Sequence, residues 1–102
     1  VTISWITCSS QEEAGRISEA LVEEKLAACV NMIPGITSVF SWKGDICREQ
    51  EILLMVKSVS SKQTALEGRI KTLHSYSTPE ILTVSVNAGS RDYLEWVRKE
   101  TS

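Results

Sequence analysis

Five consecutive apolar residues, Ile52-Leu53-Leu54-Met55-Val56, leave this chain few ways to fold. A strand turns successive side chains to opposite faces, so a run of this kind is apolar on both. Such strands sit centrally and are covered on both sides. A chain of 102 residues can lay one layer of helices on one face of a sheet. The second face would then be wet, and a greasy face does not stay wet. Another copy of the same chain is the simplest cover. The run is far too short to span a bilayer.

The remaining segments fit around that strand. Val1 to Cys8 is rich in β-branched residues and reads as a strand. Ser10-Gln11-Glu12-Glu13 reads as a capping box, and Ala14, Ile17, Leu21, Val22 and Leu26 follow at helical spacing. This predicts a helix from Gln11 to about Leu26, with Glu12, Arg16, Glu19 and Glu23 on its wet face. Ala27 to Trp42 is extended. Pro34-Gly35 interrupts it, because Pro lacks a donor and Gly tolerates positive φ, which predicts one long strand with a bulge or kink there. Lys43-Gly44-Asp45 is a hairpin turn that returns the chain as Ile46 to Lys57.

Ser60-Ser61-Lys62-Gln63 gives a second capping signal. Leu66, Ile70 and Leu73 then mark a helix to about His74. Pro79 to Val86 alternates as a fourth strand, and Ser90 caps a short last helix carrying Tyr93, Leu94, Trp96 and Val97. The order is β-α-β-β-α-β plus a terminal helix. It predicts a single α+β domain over residues 1–102, a ferredoxin-like sandwich of the split βαβ type.

Charge excludes some functions. The formal net charge is −2, and Lys and Arg lie scattered beside Glu and Asp. That argues against nucleic acid and against direct contact with an anionic membrane. The three cysteines, Cys8, Cys29 and Cys47, form no close pair, so reduced thiols in a cytoplasmic setting are expected, with Cys29 as a small core residue. The chain starts at Val1 rather than Met, which leaves room for a leader or anchor in the full-length product. No phosphate loop or activated nucleophile stands out, so no enzymatic activity is expected.

Lys25-Leu26-Ala27-Ala28-Cys29-Val30-Asn31-Met32-Ile33-Pro34-Gly35-Ile36 resembles the signature run of the CutA divalent-cation-tolerance proteins. Ser38 to Gly44, Glu51 to Lys57, His74-Ser75-Tyr76, Pro79-Glu80-Ile81 and Tyr93-Leu94-Glu95-Trp96 continue the resemblance in order along nearly the whole chain. Three positions depart from the family pattern. Ser75 stands where Pro follows the His, Phe40 where Tyr is common, and Ser58 where Thr is common.

The resemblance implies a homotrimer related in architecture to the PII signalling proteins, with long hairpins pairing between subunits. It implies a role in divalent cation tolerance, with Cu²⁺ as the expected ion, weakly bound. In eukaryotes it implies a second role, in which the trimer organises a membrane-anchored partner enzyme and metal is incidental. The metal ligands it suggests are His74 and Glu80, with Cys8 as a third. Imidazole, carboxylate and thiol all suit Cu²⁺ or Zn²⁺. His74 also ends a helix, where the dipole alone would favour it. Lys57, Tyr76 and Glu80 are expected to line a cleft between subunits, able to take an anionic effector. The plainer alternative is an inter-subunit ion pair of Lys57 with Glu80. Trp42 at the hairpin tip is expected to pack against another chain.

Overall fold

The computed structural model describes residues 1–102. Its elements are β1 (Thr2–Cys8), α1 (Gln11–Glu23), β2 (Cys29–Trp42), β3 (Asp45–Ser58), α2 (Gln63–Leu73), β4 (Ile81–Ser85) and α3 (Arg91–Glu100). The four strands form one antiparallel sheet in the order β2-β3-β1-β4. The α+β class and the βαββαβ order with an added helix are as the sequence predicts.

Alternation decides what the helices cover. Ile6 and Cys8 of β1 and Ile52, Leu54 and Val56 of β3 are buried against Ala14, Ile17 and Leu21 of α1 and Leu66 and Ile70 of α2. Leu53 and Met55 point the other way and are only half-buried. The opposite face carries cross-strand rows set by the register. One row holds Leu82, Trp5, Met55 and Asn31, the next Val84, Ile3, Lys57 and Cys29. α3 touches β3 with Val97 buried, and the Tyr93 hydroxyl meets Cys29, so α3 covers the Cys29–Lys57 end of this face. Leu82 remains 61% exposed and Val84 50%. The run Ile52–Val56 is thus apolar on both faces, with one face open in the single chain.

The β2–β3 ladder runs past the end of β1, which stops at the pair Cys8↔Ile52. Residues 36–51 therefore project as a two-stranded ribbon, and the chain is 45 Å long against 25 and 22 Å across. A lone ribbon of this kind is marginal in water. It carries Val39, Phe40, Trp42 and Ile46 exposed, Ile46 at 77%. The register shift between Ile33 and Ile36 is the predicted bulge at Pro34-Gly35, with Gly35 at φ 76°. At the tip, Lys43 as well as Gly44 takes a positive φ, the geometry that matches a two-residue turn to strand twist.

Several boundaries differ from the sequence reading. α1 ends at Glu23 rather than Leu26, because Lys25 turns left-handed at φ 59°. The Leu26 N–H then reaches back to the Leu21 carbonyl and the Lys25 N–H to that of Val22, a Schellman closure that drops Leu26 onto the core. The capping signal at Ser60-Ser61 makes no side-chain cap. A 3-10 turn over Ser60–Lys62 leads into α2 instead. β4 starts at Ile81, two residues after Pro79. Cys29 is not the core thiol: it lies half-buried on the outer face opposite Lys57, and Cys8 is the fully buried one.

Candidate functional site

Only Ser9 and Ser10 separate the end of β1 from the start of α1. The first turn of α1 therefore folds back over Cys8. Ser10 Oγ accepts from the Glu13 N–H at 3.2 Å, which is half of the predicted capping box. The other half differs. Glu13 Oε1 accepts from the Ser9 N–H at 3.4 Å, and its Oε2 accepts from the Ser75 N–H at 2.8 Å. This carboxylate is turned inward, and the residue is only 4% exposed. Burial pushes the Glu13 carboxyl up, but the hydrogen bonds from Ser75 and Ser9 outweigh it and hold the group below the ordinary 4.5.

α2 stops at Leu73, and the backbone turns extended at His74, with φ −78° and ψ 140°. That sends the buried imidazole toward β1. β4 pairs with β1 only as far as Ile6↔Ile81, so the next stretch of the β1 edge is open. His74 Nε2–H donates there to the Thr7 carbonyl at 2.7 Å. Its Nδ1 accepts from the Tyr76 N–H at 3.1 Å, so the ring is the neutral Nε2–H tautomer. Nδ1 stands 4.0 Å from Glu13 Oε1, an ion pair only if the ring carries a second proton.

Cys8, Glu13 and His74 thus form a buried group whose ligand atoms all lie within 4.8 Å of one another. Thiolate, carboxylate and imidazole together suit a borderline divalent cation such as Zn²⁺. His74 also has the arrangement usual for a metal-bound imidazole, with the far ring N–H on a backbone carbonyl. Two adjustments would accompany the binding of such a cation. Burial, then the nearby Glu13 and Glu51 carboxylates, push the Cys8 thiol up to about 12, so its proton must leave. The Tyr76 N–H must also yield the Nδ1 lone pair.

The expected residues are brought together only in part. Cys8 and His74 meet. The carboxylate that joins them is Glu13, while Glu80 is exposed and lies outside the group. Tyr76 packs against His74 with the rings tilted by 48° and their centroids 4.7 Å apart, and its hydroxyl donates to Glu51 Oε2 at 2.7 Å. Lys57 lies six positions along β3 from Glu51, about 20 Å away in an extended strand, with Nζ 3.9 Å from Cys29 Sγ. A single chain therefore does not gather Lys57 and Tyr76 into one cleft. Arg16 points to solvent on α1.

Glu13 and Glu51 are the residues that sequence reasoning missed. The signal for Glu13 was the two-residue strand-to-helix turn, which places its side chain over Cys8. Glu51 gives no local signal, because its partner is 25 residues away.

The sequence model described as CutA1 divalent ion tolerance protein matches residues 2–100. The divalent-cation tolerance protein CutA of Thermus thermophilus is 47% identical over 96 residues, covering 94% of this chain and 93% of that protein. Human protein CutA is 42% identical over 101 residues, covering 99% of this chain but 56% of the human protein. Among solved structures, the periplasmic divalent cation tolerance protein CutA of Archaeoglobus fulgidus superposes with a TM-score of 0.96 at 39% identity, covering 99% of this chain and 98% of that one.

Proposed function

The chain belongs to the CutA1 divalent ion tolerance family, and from that premise we propose that it serves divalent cation tolerance as a self-assembled, non-catalytic, cation-binding trimer. The observation that carries the assembly is the open outer face, where Leu82 and Val84 stay exposed beside Trp5 and Met55. Such a face, continued by an unsupported ribbon, is what two further copies would seal. The cation is proposed to sit at Cys8 and His74. Glu13 supplies the carboxylate from within the chain, and the resemblance adds Glu80 as a candidate from the surface. Copper is the ion that the resemblance suggests, and the donor set accepts zinc equally well. Lys57, Tyr76 and Glu80 could meet around an anionic effector only across a subunit boundary.

Calorimetric titration with Cu²⁺ and with Zn²⁺ tests the cation. The intact protein should bind and His74→Ala should bind far more weakly. Identical curves would remove His74 from the site.

A second reading has one observation in its favour. Trp42 and Ile46 at the ribbon tip are exposed apolar residues far from the helices, a shape suited to docking another protein. In this reading the trimer is an assembly module, for a membrane-anchored enzyme in eukaryotes, and metal is incidental. No helix of the chain is long and apolar enough to cross a membrane. The three free cysteines suit a reducing cytoplasm. A trimer that forms fully without any divalent cation, and binds none, would favour this second reading.

A further inference from the structure

A buried carboxylate needs a reason to face inward. At the third position of a helix, a glutamate in an ordinary capping box curls back over the helix start and stays wet. Glu13 instead turns toward Cys8 and His74, and its shortest hydrogen bond comes from the main chain of Ser75, 62 residues on. We propose that the Ser75 N–H positions Glu13 as the third donor of an intrachain cation site with Cys8 and His74. This rests on the cation-binding reading above and adds to it the residue that positions its carboxylate.

An ionised carboxylate with little solvent must be met by donors, because an unpaired buried charge is strongly unfavourable. Ser75 N–H at 2.8 Å and Ser9 N–H at 3.4 Å are the main-chain donors present, with the Ser75 hydroxyl close by. Ser9 belongs to the same turn as Glu13 and would allow the side chain to swing outward. Ser75 lies across the group, beside His74, and draws the carboxylate inward. A proline at 75, the residue the family resemblance leads one to expect, has no N–H to give. His74 already holds the extended conformation that a residue before proline adopts, so Ser75→Pro removes this donor without demanding a new backbone at 74. The N–H at 75 and the inward Glu13 are therefore two halves of one device. His74 completes it, because its Nε2–H bond to Thr7 leaves Nδ1 on the Glu13 side. Mixed sulfur, oxygen and nitrogen donors of this kind suit Zn²⁺, which is also redox-silent toward the thiol.

The test is a Zn²⁺ titration of the full chain and four variants. Ser75→Ala keeps the N–H and removes only the nearby hydroxyl, so it should lose far less than Ser75→Pro. Ser75→Pro should lose about ten- to a hundredfold in affinity, the usual effect of removing an outer-shell partner. Glu13→Gln should lose at least as much. Glu13→Gln combined with Ser75→Pro should lose no more than Glu13→Gln alone, which a merely structural effect of the proline would not reproduce. Unchanged affinity in Ser75→Pro, or fully additive losses in the double variant, would overturn the proposal. A parent chain that takes up no Zn²⁺ overturns the cation reading itself. The positioning claim is then decided on the metal-free protein by amide hydrogen exchange. The Ser75 amide should exchange slowly in the parent and quickly in Glu13→Ala. Equal rates would show that the two residues are uncoupled.

Discussion

Replacing Leu82 by aspartate should dissociate the assembly while leaving the single chain folded. Leu82 lies on the outer face in a row with Trp5, Met55 and Asn31 and is 61% exposed. Full burial of a leucine side chain contributes about 1.5–3 kcal/mol, so sealing the open part of Leu82 gains about 1–2 kcal/mol per copy. A carboxylate forced under the same seal costs several kcal/mol, because this row offers it no cation and Lys57 sits in the next row opposite Cys29. The two effects sum to about 4 kcal/mol per copy. Repeated three times, that is roughly 12 kcal/mol, or about nine orders of magnitude in the dissociation constant. The isolated chain should lose no more than about 1 kcal/mol, since the position is exposed there. Sedimentation velocity at micromolar concentration reads the outcome. The parent should sediment as a trimer, Leu82→Asp as a single chain with an unchanged far-ultraviolet spectrum, and Glu19→Lys on the wet face of α1 as a trimer. A parent that sediments as a monomer, or a Leu82→Asp variant that sediments with the parent, would refute the reasoning.

Three further outcomes are expected. Tyr76→Phe leaves the buried Glu51 carboxylate without its hydroxyl donor and should destabilise the fold by about 1–3 kcal/mol in urea unfolding, with Glu51→Gln recovering part of the loss. Lys25→Gly should stabilise by up to about 1 kcal/mol, because the left-handed position that closes α1 carries a Cβ that glycine lacks. Stability should also fall with rising pH. The Cys8 thiol is raised from 9.0 to about 12 by burial and the nearby Glu13 and Glu51 carboxylates, and the Tyr76 phenol is raised by burial and by Glu51. Both acids keep their protons longer in the folded chain, so the stability they lend is complete below about pH 9 for Cys8 and about pH 10 for Tyr76, and is lost progressively as the pH rises through the folded-state values, about 12 for Cys8. A melting temperature flat from pH 8 to the alkaline limit would contradict this.

The parts of this fold that could be read from the sequence are those whose cause is local. Ser10 and Ser90 cap their helices within three residues. Pro34-Gly35 breaks the ladder where Pro removes a donor, and the apolar run Ile52–Val56 marks its strand as central. The misplaced features have causes elsewhere in the chain. Lys25 ends α1 because Leu26 has a place in the core, and nothing in the local sequence Glu24-Lys25-Leu26 signals a left-handed residue. Ser60-Ser61 resembles a cap but lies in a 3-10 turn. The site divides in the same way. Cys8 and His74 stand out by residue type, at the end of a strand and of a helix. Their carboxylate does not, because Glu13 looks like half of a capping box until Ser75 turns it inward.

The choice between Glu13 and Glu80 as that carboxylate can be made without any structure of the bound state. Cys8, Glu13 and His74 all come from one chain and are already within 4.8 Å of one another. A cation held by these three gains nothing from a second copy. Glu80 is exposed, and a site that needs it at an inter-subunit cleft is complete only in the assembly. Linkage makes the difference measurable: if assembly tightens the cation by some factor, the cation tightens assembly by the same factor. The dissociated Leu82→Asp chain should therefore bind Zn²⁺ within about twofold of the parent, a coupling of less than about 0.5 kcal/mol. Zn²⁺ should also leave the parent's dissociation midpoint unmoved. One proton should be released per cation as Cys8 gives up its thiol hydrogen, seen as a difference between titrations in buffers of unlike ionisation enthalpy. A tenfold or greater loss of affinity in Leu82→Asp would instead place the site between subunits, with Glu80 as its carboxylate.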